Sequence, residues 1–238
     1  MIQQLKWFIL TCLTLTLFSC ESLPRAEEVR VQQISTREVS NFGNDWQFQR
    51  LHEDVAATAV WEQVVLPHTV RIEPLVVNDQ WQGTSIYRKT FPVALQKGQK
   101  WFLHFEGVMQ EARVKLNDSL VKIHKGGYLP FTVDATPYLI HNSENTIEVE
   151  VINLDDATIP PGKPLEDLDF NMYGGIYRNV ELIKTNEVHI TDAVHAGEVN
   201  GGGILVHWNE ISSEAASGFV KQNFLAISKF LEPCPCTA

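Results

Sequence analysis

The sequence predicts an all-β protein in which short strands pack as a sandwich or barrel. Three observations carry this expectation. Apolar and polar residues alternate in one run after another, and glycine or proline falls between the runs. In addition, no stretch between residues 40 and 186 joins helical periodicity to capping residues.

Each run has an inner and an outer face. Trp101-Phe102-Leu103-His104-Phe105-Glu106 sets Trp101, Leu103 and Phe105 on one side. Ala112, Val114 and Leu116 alternate with Arg113, Lys115 and Asn117. Asn117-Asp118 then supplies a turn before Leu120-Val121-Lys122-Ile123. Ile147, Val149 and Val151 alternate with Thr146, Glu148 and Glu150. One face is therefore buried and the other wetted, as in antiparallel sheets. Breakers stand at Pro67, Pro74, Gly83, Gly98, Gly107, Gly126-Gly127, Pro130, Pro137, Pro160-Pro161 and Gly174-Gly175. Trp46, Phe48, Trp61, Phe91 and Phe105 are the expected large core fillers.

Composition sets outer bounds. The chain has 238 residues, 44% of them hydrophobic, which suits a folded domain with a real core. Its 19 basic and 29 acidic residues give a net charge of −10, and that sign argues against a nucleic-acid partner.

The N-terminus reads as a processing signal. Lys6 precedes an apolar run over residues 7–18, which is short against the roughly 20 residues that a membrane-spanning helix needs. The run ends in Leu17-Phe18-Ser19-Cys20, which resembles a bacterial lipobox. Residues 1–19 are then expected to be a lipoprotein signal peptide and Cys20 the lipidated residue, which makes the protein exported and membrane-anchored through acyl chains; the alternative is plain secretion with Cys20 a free thiol. Residues 20–39, polar and aperiodic, read as a tether. Of the four cysteines, Cys12 leaves with the signal, while Cys234 and Cys236 lie in a terminal Cys-Pro-Cys without further metal-ligating residues nearby. No disulfide, metal or other cofactor is expected.

The order of the motifs adds more than any one of them. Trp46-Gln47-Phe48 is followed by Trp61-Glu62-Gln63-Val64-Val65-Leu66-Pro67-His68-Thr69, and then by Tyr87-Arg88-Lys89-Thr90-Phe91. Phe105-Glu106-Gly107-Val108 leads to Val114-Lys115-Leu116-Asn117. Gly126-Gly127-Tyr128-Leu129-Pro130-Phe131-Thr132-Val133-Asp134 and Asn145-Thr146-Ile147-Glu148-Val149-Glu150-Val151 come next. Gly174-Gly175-Ile176-Tyr177-Arg178-Asn179-Val180-Glu181-Leu182 closes the series. Over residues 40–186 this succession resembles the N-terminal sugar-binding domain of glycoside hydrolase family 2, the family of β-galactosidases, β-glucuronidases and β-mannosidases. The resemblance implies a jelly-roll β-sandwich, a carbohydrate partner, and a terminal β-glycoside as the ligand.

The resemblance also points to site residues. Residues 154–174 form a long loop, and long irregular loops in compact domains tend to carry function. Leu165-Glu166-Asp167-Leu168-Asp169, ahead of Gly175-Ile176-Tyr177-Arg178, looks like the family loop that inserts an aspartate into the active site to hold the terminal sugar. Matched from that anchor, the aspartate is Asp169. A carboxylate suits this task, because it accepts from two hydroxyls at once. Gln82, in the segment before Tyr87, roughly matches a polar substrate contact of the family but differs from it in identity. Trp81 beside it reads more readily as a packed aromatic than as a platform for a sugar ring. His68 reads as a hydrogen-bonded turn residue, Gly174-Gly175 as a place of close approach or positive φ, and Arg178 as a structural donor.

No catalytic residue is assigned in this chain. In the family the two catalytic glutamates lie on a downstream (β/α)₈ barrel, a fold of about 250 residues. Residues 187–238 are expected to form an incomplete immunoglobulin-like segment, with Val188-His189-Ile190-Thr191-Asp192 as its first strand and Ile204-Leu205-Val206-His207-Trp208 as a second. Their tail looks like that of a truncated or frame-shifted reading frame. Three readings follow: an inactive sugar-binding part of a family 2 glycosidase, a free-standing surface lipoprotein that captures glycans, or a sandwich without sugar affinity.

Overall fold

The computed structural model describes residues 37–51, 60–72, 80–197, 202–222 and 224–225. All of these fall within one compact unit, Ser35–Ala238. The expected signal peptide, most of the expected tether, Cys20 and the terminal Cys-Pro-Cys lie outside the described residues.

In chain order the strands are β1 (Arg37–Asn41), β2 (Trp46–Leu51), β3 (Glu62–Val64), β4 (Thr84–Val93), β5 (Gln99–Phe105), β6 (Glu111–Leu116) and β7 (Ser119–Lys125). They continue as β8 (Phe131–Asp134), β9 (Ser143–Ile152), β10 (Val180–Asn186), β11 (His189–Ile190), β12 (Ile204–Ile211), β13 (Ala216–Gln222) and β14 (Phe224–Leu225). Among the described residues the only helical pieces are single 3₁₀ turns at Thr136–Tyr138 and Leu165–Asp167. The fold is all-β, as expected.

Two antiparallel sheets make the sandwich. One has the order β1-β10-β5-β8 and the other β3-β2-β4-β9-β6-β7. Sequence neighbours are seldom sheet neighbours here, as a jelly roll requires. The alternating residues meet between the sheets. Trp101, Leu103 and Phe105 face Trp46, Phe48 and Tyr87, and Ala112, Val114, Leu116, Ile147, Val149 and Val151 complete one continuous core. Register keeps these rows together, with Val114 opposite Val149 and Leu116 opposite Ile147. Asn117 and Asp118 both have positive φ, 47° and 65°, which is the turn geometry that matches the twist of a two-residue hairpin.

Three features depart from the expectations. The first strand starts at Arg37, inside the stretch assigned to the tether, and pairs with β10 from Arg37↔Thr185 to Asn41↔Glu181. Trp61 is not a core residue: it is half-buried at the margin of the three-residue edge strand β3, with the Arg88 guanidinium 4.7 Å from its ring centroid. At this edge the long Arg88 side chain covers the indole. Phe102, on the outer face by alternation, is buried all the same. The segment after β10 folds across it and places the His189 and His195 rings 5.3 and 5.7 Å from its own.

Beyond Asn186, β11 pairs with β14, and β12 pairs with β13 as a hairpin. The expected second strand of this region is thus present as β12. Val206, Trp208, Ile211, Phe219 and Val220 on the hairpin are exposed.

Candidate functional site

The long loop leaves β9 at Asn153, and this buried residue clasps the segment that enters β4. Its Oδ1 accepts from the Gly83 N–H at 3.0 Å, and its Nδ2 donates to the Trp81 carbonyl at 2.8 Å. The Asn153 N–H also donates to the Gly83 carbonyl at 3.1 Å. Asn153 therefore uses both ends of its amide and its backbone to hold residues 81–83 against the loop. Trp81 is partly buried against the core, the packed state expected for it.

Asp155 closes the first half of the loop. Its Oδ1 accepts from the Leu165 N–H at 3.0 Å and from Gln82 Nε2 at 2.7 Å. Gln82 Nε2 also lies 3.4 Å from the Asn153 carbonyl. The donor end of Gln82 is thus directed at the protein's own loop. Next to it, Asp156 accepts from the Thr158 hydroxyl and N–H at 2.6 and 2.8 Å, and these bonds hold its carboxyl below the usual carboxylate range.

The second half is pinned by apolar anchors. Leu165, Leu168 and Met172 are buried with Met109 in a small core of their own, with Tyr177 packed against it. The Tyr177 hydroxyl donates to the Gly127 carbonyl at 2.6 Å, which ties this core to the loop ahead of β8. Asp169 follows one anchor and precedes the other, so it sits on a short crest between Leu168 and Met172. It is exposed and makes no side-chain hydrogen bond with any described residue. Phe170 beside it is exposed as well.

Behind the crest, Gln80 is buried at 3% exposure and donates through Nε2 to Asn171 Oδ1 at 2.6 Å. Asn171 Nδ2 in turn lies 2.9 Å from the Tyr173 hydroxyl, to which it donates. Sequence reasoning missed Gln80, Asn153, Asp155 and Asn171. Gln80 and Asn171 are 91 residues apart, and no local pattern announces such a pair.

The loop ends where residues 174–176 thread between two other segments. The His68 and Val70 N–H groups donate to the Ile176 and Gly174 carbonyls at 2.8 and 2.9 Å, and Met109 exchanges backbone bonds with Gly175 on the other side. Both glycines answer the expectation. A Cβ on Gly174 would lie 2.5 Å from Asn153 Nδ2; Gly175 has φ +121°, and its Cβ would meet the Tyr87 hydroxyl at 2.6 Å. His68 is the hydrogen-bonded turn residue it was read as, with Nδ1 2.9 Å from the Tyr87 hydroxyl. Burial lowers its pKa, against the opposing charge of Glu62. Arg178 is exposed, and its guanidinium lies 5.3 Å from the Tyr177 ring centroid, so it stacks on that ring. Among the described residues no group of histidine, cysteine or carboxylate side chains could hold a metal ion, and no helix is long and apolar enough to cross a membrane.

The arrangement is a surface loop whose carboxylates Glu166, Asp167 and Asp169 are exposed without a side-chain hydrogen bond to any described residue, the first two between the buried Leu165 and Leu168 and Asp169 between Leu168 and Met172. Carboxylates of this kind accept hydrogen bonds from hydroxyls. They do so with little rearrangement when the backbone beneath is already fixed.

Known proteins share this framework. Residues 28–186 match the model of the sugar binding domain of glycosyl hydrolases family 2. A β-galactosidase of Thermoanaerobacter pseudethanolicus is 39% identical over 66% of this chain and 22% of its own length. A β-glucuronidase of Formosa agariphila is 32% identical over 76% of this chain and 20% of its own length. The crystal structure of a putative β-galactosidase from Bacteroides fragilis superposes with a TM-score of 0.66 at 30% identity, covering 79% of this chain and 28% of that one. The chain thus spans 22% and 20% of the length of these two curated relatives. Motif order, jelly-roll topology and family match agree: this chain belongs to glycoside hydrolase family 2 and contains that family's sugar-binding domain.

Proposed function

We propose that this chain binds the terminal sugar of a β-glycoside without hydrolysing it, as the non-catalytic domain of an exported, lipid-anchored family 2 glycosidase. The observation that carries this reading is the crest fixed by Leu168 and Met172, on which Asp169, the aspartate matched from Gly175-Ile176-Tyr177-Arg178, is exposed with no hydrogen-bonding partner among the described residues. Gln82 contributes at the rim, where its amide braces Asp155 and the start of the loop. Retaining family members need a pair of carboxylates about 5–5.5 Å apart across the scissile bond, and one loop aspartate does not supply that chemistry.

Calorimetric titration with methyl β-galactoside and methyl β-glucuronide tests the binding. The wild-type chain is expected to bind one of them weakly, in the millimolar range, as suits one wall of a site. Asp169→Ala is expected to abolish this while changing stability by less than about 0.5 kcal/mol, because the residue is exposed and unpaired. Equal binding by both proteins sinks the reading. Turnover of chromogenic glycosides by the purified chain would overturn the non-catalytic assignment.

The anchor is tested separately. Cys20→Ser is expected to move the protein from the membrane fraction to the soluble exported fraction, and mass spectrometry of the mature N-terminus should find acylated Cys20. A wild-type protein without acylation removes the anchor and leaves the sugar reading intact. The alternative, a free-standing surface lipoprotein that captures glycans, shares these outcomes, weak affinity included, and a glycan array that shows binding lost in Asp169→Ala supports it.

A further inference from the structure

We propose that Gln80 is a positioning residue for the sugar-contacting crest, acting through Asn171; this rests on the reading of Asp169 as the sugar contact. Gln80 is 3% exposed, yet only one end of its amide is used. Nε2 donates to Asn171 Oδ1 at 2.6 Å, while Oε1 is buried and accepts no hydrogen bond. As a device for stability this is a poor choice. A buried acceptor left unsatisfied loses more than an ordinary hydrogen bond returns, and an apolar side chain of the same length avoids that loss. What the glutamine gains is one directed bond to a residue two positions from Asp169.

The relay acts where the apolar anchors cannot. Leu168 and Met172 fix the height of the crest by burial, but burial is non-directional and leaves its rotation open. Asn171 lies between Asp169 and Met172. The bond from Gln80 on one side and the bond to the Tyr173 hydroxyl at 2.9 Å on the other fix how the Asn171 amide, and the backbone carrying it, are turned. Gln80 itself is held from the far side of the loop, because the next three residues are clasped by Asn153. The aim of Asp169 is thus referenced to the start of β4, a rigid central strand of the six-stranded sheet.

The test uses the 238-residue chain with Gln80→Met, Asn171→Ala and Asn171→Asp. Backbone ¹⁵N relaxation over residues 168–173 reads the order of the crest, and titration with methyl β-galactoside and methyl β-glucuronide reads the sugar site. Gln80→Met is expected to keep the thermal midpoint of the wild type. It should lower the order parameters of residues 169–171 from about 0.85 to below about 0.6 and weaken sugar binding about fivefold, the equivalent of one net hydrogen bond. Asn171→Ala removes the same bond from its half-buried end and decides the matter if Gln80→Met fails to fold. Asn171→Asp still accepts from Gln80, so it should recover most of what Asn171→Ala loses. Wild-type order in Gln80→Met or Asn171→Ala overturns the proposal, and so does an Asn171→Asp variant as disordered as Asn171→Ala. If no protein binds either sugar, the reading of Asp169 falls, and the relaxation data still decide whether Gln80 orders the crest.

Discussion

Tyr87 and His68 share a hydrogen bond of 2.9 Å, and Gly175 passes over that bond so closely that it has no room for a side chain. Tyr87 is fully buried, and its ring stacks obliquely on Phe48, 4.9 Å away between centroids. Burial raises the phenol's pKa, against the opposing backbone bond from Ile176, so the hydroxyl stays protonated. The end of the long loop is therefore built onto the core of the sandwich through one polar contact and one glycine.

Gly175→Ala is expected to destabilise the protein strongly. Its φ of +121° is strained for any L side chain, and the added Cβ would meet the Tyr87 hydroxyl at 2.6 Å and the His68 carbonyl at 2.8 Å. Strained backbone alone costs about 1–3 kcal/mol, which for a domain of this size lowers the midpoint by about 2–12 °C. Gly98→Ala serves as the control: φ is +78°, but no atom lies within 4 Å of its Cβ position. Thermal unfolding of the two variants should rank them clearly, and equal losses would show that the contact with Tyr87 and His68 does not matter.

His68 makes stability depend on pH in the acid direction. Its pKa is lowered by burial in the fold, so between that value and the ordinary one of 6.5 the unfolded chain binds more protons than the folded chain. The contribution is fully present above about pH 6.5 and is lost as pH falls through the folded value. Urea midpoints measured between pH 5 and 8 should fall towards acid in the wild type and fall less in His68→Gln. Identical slopes in the two proteins would remove His68 as the cause.

The aromatic residues divide by sheet face rather than by size. Phe48 is 1% exposed in the main core, and Phe48→Ala should cost about 3–5 kcal/mol. Trp61 is larger but lies half-buried on the outer margin beside Arg88, so Trp61→Ala should cost about 1 kcal/mol, the scale of an exposed cation–π contact. Chemical denaturation of both variants checks the ranking.

Much of this protein was determined by sequence alone. Alternation at Trp101, Leu103 and Phe105, at Ala112, Val114 and Leu116, and at Ile147, Val149 and Val151 specifies strands and their inner faces, because successive side chains on a strand point to opposite sides. The order of motifs specifies the family, and Asp169 is what the family resemblance implies when it is matched from Gly175-Ile176-Tyr177-Arg178. Only the tertiary structure decided what lies against those faces. Phe102 is polar-side by alternation yet buried, because a segment 87 residues downstream lays His189 upon it. Trp61 is hydrophobic yet peripheral, because β3 is a short edge. Gln82 turns its amide to Asp155 across a separation of 73 residues, and Gln80 reaches Asn171 across 91. A period of two residues reports which way a side chain points, whereas these partners are set by strand register and loop closure, which bring together residues that no local pattern relates.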